Sequence, residues 1–185
     1  SRNNIRRKTK KLNELGKQKF EVITDPTKLD NKFPMVFDLE NRSWKGKEGI
    51  GIFNNEERKR FFTNVAKSMA SEERFLLHLH YLDERLISYS FNFRTSAKLY
   101  VYSLSFDPDF ALYSPGLLSL LELSKWCTEN GVKVFDFLRG GEEYKKRWTS
   151  TATQNINLYI FSRNIRARLL AMQLESRLML RRTKK

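Results

Sequence analysis

Tyr113-Ser114-Pro115-Gly116, running into Leu117-Leu118-Ser119-Leu120-Leu121, combines residues that suit the start of a helix with one that suits a ligand. Serine is a good N-cap, and proline is a good first residue because its missing N–H has no intrahelical partner to lose. Gly116 carries no Cβ, so a bound group can approach its backbone closely. The N–H groups of Gly116, Leu117 and Leu118 then point out of the positive end of a helix dipole, a setting that favours phosphate. The alternative is that the Ser114 hydroxyl caps these donors itself and closes the helix end. On these residues alone both readings stay open.

A second stretch, Phe135-Asp136-Phe137-Leu138-Arg139-Gly140-Gly141-Glu142-Glu143-Tyr144-Lys145, offers a carboxylate in a strand and a charged loop after it. Strand alternation puts Val134, Asp136 and Leu138 on one face and Phe135, Phe137 and Arg139 on the other. An acid among apolar neighbours is costly unless it is hydrogen-bonded or functional. Asp136 is therefore either a proton acceptor in a reaction or a structural acceptor for backbone or Arg139. Glu142 reads as an ordinary acid at a helix start. Cys127 sits in an apolar helix and reads as inert core. His78 and His80 share a strand face, but no third ligand stands near them, so they read as sheet residues and no metal is expected.

The whole chain narrows the classes. It has 185 residues, a single cysteine, and 35 Lys+Arg against 21 Asp+Glu, for a net charge of +14. One cysteine excludes a disulfide framework and a Cys-based zinc site, and points to a reducing, cytoplasmic compartment. No apolar run reaches the roughly 18 residues that span a bilayer. The positive field favours polyanions: nucleic acid, anionic lipid, or phosphate-bearing small molecules. Its ends are the most basic parts, and the C-terminal helix, with arginines around Ile165, Leu169 and Met172, suits either its own sheet or an anionic membrane surface. The aromatics are not interleaved with Lys/Arg on one face, which argues against a nucleic-acid module.

These residues need a scaffold. A basic helix over 4–15 is followed by a short strand at 20–24. Asp25-Pro26 predicts a turn or short helix, and Phe33-Pro34 the start of another, with Pro34 in its first turn. Asn55 predicts the cap of a helix whose Phe61, Phe62, Val65, Ala66 and Met69 recur at helical steps. Strands at 75–82, 86–94 and 99–106 are linked by segments too short for anything but hairpins. The helix after Ser114 and a strand at 132–138 make a right-handed parallel crossover, and a last strand is expected at 154–162. The fold class is α/β: one mixed sheet in a single domain over 1–185, an antiparallel meander plus one βαβ crossover, with helices on both faces.

With that order of elements, "YVYSLSFDPDFALYSPGLLSLLELSKWCTENGVKVFDFLRGGEEYKKRW", together with "RRKTKKLNELG", "NRSWKGKEGIGIF" and "ERKRFFTNVAKSMA", resembles a known family. It is the GNAT-type acetyltransferase domain of proteins linked to cellulose and exopolysaccharide production, related to the Fem-type aminoacyl transferases. The resemblance implies transfer of an acetyl or other acyl group from acyl-coenzyme A to an amine or hydroxyl of an envelope or polysaccharide precursor. It places the coenzyme pyrophosphate at Ser114, Gly116, Leu117 and Leu118, and the pantetheine arm along Leu104, Ser105 and Phe106. Asp136 or Tyr144 would serve as base or relay, and Arg139 and Lys145 would hold a phosphate or sugar-phosphate acceptor. Family members tend to carry a second GNAT-like half, which implies that the chain is the C-terminal part of a longer protein working in the cytoplasm or at the inner membrane face. The usual pyrophosphate loop, Arg/Gln-x-x-Gly-x-Gly/Ala, is replaced here by Ser-Pro-Gly, so an aminoacyl-tRNA donor stands as the alternative. A non-catalytic polyanion-binding module is the reading from outside the enzyme class.

Overall fold

The computed structural model describes residues 2–140, 143–146, 148–153 and 159–182, in two compact units, Ser1–Gly140 and Gly141–Lys185. The first unit carries α1 (Arg2–Asn13), β1 (Gln18–Ile23), α2 (Pro26–Arg42), α3 (Trp44–Lys47), α4 (Glu56–Ser71), β2 (Phe75–Leu82), β3 (Arg85–Arg94), β4 (Lys98–Phe106), a 3-10 turn (Pro108–Tyr113), α5 (Pro115–Glu129) and β5 (Val134–Asp136). The second carries α6 (Glu143–Lys146) and α7 (Ile165–Arg182).

The sheet order is β1-β2-β3-β4-β5. The first three pairings are antiparallel, and β5 lies parallel to β4. This is the meander and crossover the short links dictate, with an α/β mixed sheet covered on both faces. Every residue of β2 is buried, as expected for a central strand with helices on both sides. On one face Leu77, Leu79, Tyr89 and Phe91 pack with Phe33, Val36 and Leu39 of α2 and Phe62 and Ala66 of α4, around Phe53. On the other, Leu12 of α1 and Leu118 of α5 meet Leu82 and Ile87.

Local chemistry explains two helix starts. Asp25 accepts from Thr27 N at 2.9 Å ahead of Pro26, and Asn55 accepts from Arg58 N at 2.8 Å. Asn55→Ala is expected to cost about 1 kcal/mol in urea unfolding, the usual worth of an N-cap acceptor.

Three expectations change. Pro34 does not begin a helix but lies inside α2. Its missing donor and ring clash cost about 3 kcal/mol, opposed by burial of Leu29, Phe33, Val36 and Leu39 along the same helix. Pro34 itself is exposed, so water can reach the carbonyl it leaves unpaired. The strand expected over 132–138 shortens to Val134–Asp136, because Leu138 turns to φ +55°. Of the strand expected at 154–162, residues 159–162 are not extended pairing partners in the sheet, and 154–158 lie outside the described residues.

Candidate active site

β5 pairs only with Lys98, Leu99 and Tyr100. From Val101 to Phe106 the outer edge of β4 has no strand beside it among the described residues. The opening coincides with a bulge: Ser103 faces Phe91 and Val101 faces Asn92, which leaves Tyr102 between them without a partner. Bulges bend a strand and end regular pairing. The result is a β4 edge that has no strand partner among the described residues and leads to the start of α5.

That start is not closed by its cap residue. Ser114 adopts φ +54°, ψ +55° and its side chain makes no capping bond. Its hydroxyl instead accepts a bond from Lys8 Nζ on α1. The left-handed backbone is the reason: it is set by the preceding 3-10 turn and carries the hydroxyl away from the helix donors. Ser114 O accepts from Leu117 N at 3.0 Å and Leu118 N at 3.2 Å. Of the three donors expected to face outward, Gly116 N–H is the one left without an acceptor among the described residues. A Cβ on Gly116 would lie 3.3 Å from Phe106 Cδ1 and 3.7 Å from Leu104 Cδ2. The structure therefore brings Leu104, Phe106, Ser114 and Gly116 together, with Lys8 as a cation that sequence reasoning missed. Leu117 is half-buried, and Leu118 packs on Leu12 and Ile87. Ser105 faces the other side of the sheet, opposite Tyr89.

The first turns of α5 lie against two buried histidines. His78 Nδ1 lies 2.9 Å from Ser119 Oγ. His80 sits with Nδ1 3.4 Å from Pro115 O and Nε2 2.9 Å from Gln18 Oε1. Burial lowers His78 to about 3, helped by the neighbouring His80, and His80 to about 4. Both are neutral at pH 7. Asp107, just before the 3-10 turn, is fully buried and accepts from Asp109 N at 3.1 Å and from Arg85 Nε at 3.0 Å, with Arg42 Nη1 at 2.5 Å. Burial opposes its charge, but these donors win and hold its carboxyl below the ordinary range.

Asp136 stands elsewhere. It pairs with Tyr100, at the closed end of β4, and its Oδ1 accepts from Leu138 N at 2.7 Å, fixing the turn that ends β5. Arg139 is exposed after that turn. Tyr144 and Lys145 are half-buried on α6 in the second unit, and Glu142 lies outside the described residues. Burial raises Cys127 to about 11, which suits a core thiol. Among the described residues no cluster of ligands suits a metal ion, and no helix is long and apolar enough to cross a membrane.

A mixed sheet whose parallel pair parts beside an uncapped helix start is the setting in which the comparisons fall. The profile of the acetyltransferase (GNAT) domain matches residues 1–146. The chain belongs to this GNAT family. It is an acyltransferase. The acetyltransferase is also similar to several solved structures, at identities that speak to the fold alone. An aminoglycoside acetyltransferase from an uncultured soil metagenomic sample, in complex with sisomicin, is 13% identical with a TM-score of 0.55, covering 79% of this chain and 97% of that one. A possible acetyltransferase from Clostridium difficile 630 is 14% identical with a TM-score of 0.53, covering 77% and 97%. The aminoglycoside acetyltransferase AAC(6')-Iy, bound to a bisubstrate analogue of coenzyme A, is 10% identical with a TM-score of 0.53, covering 78% and 98%. No curated protein matches the sequence.

Proposed function

We propose that this acetyltransferase takes its acyl group from an acyl-coenzyme A and passes it to an amine or hydroxyl of an envelope or polysaccharide precursor in the cytoplasm. The observation that carries the donor is the Gly116 N–H, unmet at an α5 start that Ser114 does not cap. Phosphate oxygens suit that donor, the helix dipole and the Lys8 ammonium together. The backbone of Leu104, Ser105 and Phe106 offers the pantetheine amides the pairing that β5 does not. Transfer by direct attack needs an oriented acceptor and a way to remove its proton, not a covalent enzyme intermediate. Asp136 is assigned to that proton, and Arg139 to an anionic acceptor.

Calorimetry with acetyl-coenzyme A tests the donor. Saturable binding is expected, and Lys8→Glu is expected to weaken it about tenfold, near 1.4 kcal/mol. Absence of binding at millimolar ligand would remove coenzyme A as donor. The tie of Leu117 and Leu118 N–H to Ser114 O leaves fewer phosphate donors than a glycine-rich loop gives. That observation supports a tRNA-borne acyl donor as the second reading, for which charged tRNA would compete and acetyl-coenzyme A would not.

A further inference from the structure

Arg6, Arg7, Lys8, Lys10 and Lys11 lie on α1, a helix with no acidic residue. None of the ion pairs among the described residues involves α1, nor Glu14, the next acid along the chain. Ile5 and Leu12 pack toward the core, so helical spacing sets Arg7 and Lys11, one turn apart, on an outer flank next to Lys8. Both are exposed, and Arg7 Nη2 reaches Asn4 Oδ1 at 3.4 Å. Like charges at this spacing oppose each other unless an anion lies against them.

Lys8 joins this flank to the donor site, because its ammonium bonds Ser114 at the start of α5. Two residues before Ser114 stands Leu112, 84% exposed. The 3-10 turn is the reason, since its side chains share a face every three residues. Phe110 and Tyr113 pack on the cluster of Leu12 and Leu118, and Leu112 is left outside with Asp109, which Arg85 pairs. A bare leucine beside a run of cations suits an acidic protein surface with an apolar spot. It does not suit RNA, whose bases need a ring to stack on: the Phe110 ring is covered by the Arg85 guanidinium at 5.0 Å, and Tyr113 is turned to the core. The phosphate donors point the same way. Leu117 and Leu118 N–H are spent on Ser114 O and Pro115 has no N–H, so the site offers Gly116 N–H and the Lys8 ammonium. A pantetheine arm joined to a protein serine brings a single phosphodiester to such a site, whereas coenzyme A brings a pyrophosphate.

We infer that the outer flank of α1 and Leu112 dock an acidic carrier protein whose acyl group rides on a phosphopantetheine arm. The inference rests on the acyl-pantetheine reading of the donor site above, and adds a protein that delivers the arm coenzyme A also bears. Arg7 and Lys11 meet carboxylates of the carrier, Leu112 meets its apolar spot, and Lys8 with Gly116 N–H holds the phosphodiester. The chemistry of transfer is the same for both donors. The acceptor nitrogen or oxygen bonds to the thioester carbon, the C–S bond breaks, and the sulfur keeps the electron pair. The proton that the acceptor gives up ends on that sulfur, and the carrier leaves with a free thiol on its arm.

Calorimetry on the full chain compares three titrants: acetyl-coenzyme A, an acidic acyl carrier protein bearing the acetylated arm, and the same carrier without the arm. The loaded carrier is expected to bind at least about tenfold more tightly than either of the others, because it alone engages both the flank and the donor site. Arg7→Glu with Lys11→Glu, and separately Leu112→Asp, are each expected to weaken the loaded carrier about tenfold or more and acetyl-coenzyme A by less than about threefold. All three positions are exposed, and thermal melts of the variants check that the fold is kept. Binding of acetyl-coenzyme A with no gain from the carrier, or a gain that both variants leave intact, would overturn this inference alone. Equal binding of the loaded and the bare carrier would overturn it as well, since the arm would then add nothing. Uncharged tRNA displacing the loaded carrier, with Leu112→Asp binding it as the wild type does, would assign the cations to nucleic acid instead. Failure of both arm-bearing titrants to bind would overturn it together with the donor assignment.

Discussion

Between pH 7 and pH 4 the acetyltransferase is expected to lose on the order of 5 kcal/mol of stability through two side chains, His78 and His80. Burial holds them at about 3 and about 4 against an ordinary 6.5. A depressed folded-state value means that the unfolded chain binds more protons below pH 6.5, so stability falls as pH falls. The stabilising term is complete above pH 6.5 and is lost on the way down to the folded values. At about 1.4 kcal/mol per pH unit for each group, about two units for each of two groups gives a loss of this order, comparable with the whole stability of a typical domain. The paired Asp107, also depressed, adds a loss of the same sign at the lower end. Urea unfolding at pH 7, 5.5 and 4.5 measures the slope. His80→Gln, which cannot charge, is expected to flatten it by about half. A wild-type midpoint that does not move between pH 7 and 4.5 would show that the histidines take protons without unfolding α5 from the sheet.

Much of this architecture is written locally. "DER" and "TSAK" leave no room for anything but hairpins, and the alternation and apolar runs around them place β2, β3 and β4 within a residue of where they lie. Asn55 reads as a cap because its side chain acts on donors three residues away. Ser114 reads as a cap by the same rule and is not one. Its backbone angle is imposed by the 3-10 turn before it, and its hydroxyl is taken by Lys8, more than a hundred residues earlier in the chain. Pro34 misleads for a related reason: a proline's local preference yields when the helix on both sides of it is buried. The buried bond from Tyr89 Oη to Glu40 is local on one side only. Glu40 follows Phe33, Val36 and Phe37 on one side of α2, where an acid falls on an apolar stripe, and such an acid needs a partner. That the partner is Tyr89 depends on the pairing of distant elements, which no spacing encodes. Asp136, read as either structural or reactive, holds the β5 turn, and its assignment to the acceptor proton awaits the acceptor.

Gly116→Trp is expected to lower acetyl-coenzyme A affinity by more than about a hundredfold, or 2.7 kcal/mol. The direction of the missing Cβ decides this. It points at Phe106 and Leu104, at 3.3 and 3.7 Å, the two β4 side chains that line the α5 side of the open edge. Any side chain at residue 116 therefore grows into the path between the helix start and that edge, and an indole fills it. Because Gly116 is buried, the substitution also tests packing, so Gly116→Ala is the control. A methyl at 3.3 Å asks the half-exposed Phe106 ring to give by a few tenths of an ångström, and alanine is the better helix former by up to about 1 kcal/mol. The alanine variant should thus melt no earlier than the wild type and bind roughly tenfold more weakly. The sequence of effects separates the two meanings of this glycine. If it serves only the packing of α5 on β4, both variants lose stability and the ligand affinity of the folded fraction stays constant. If it keeps the helix start accessible, affinity falls in the alanine variant while the fold does not, and Gly116→Trp binding with wild-type affinity would show that no donor phosphate lies at α5.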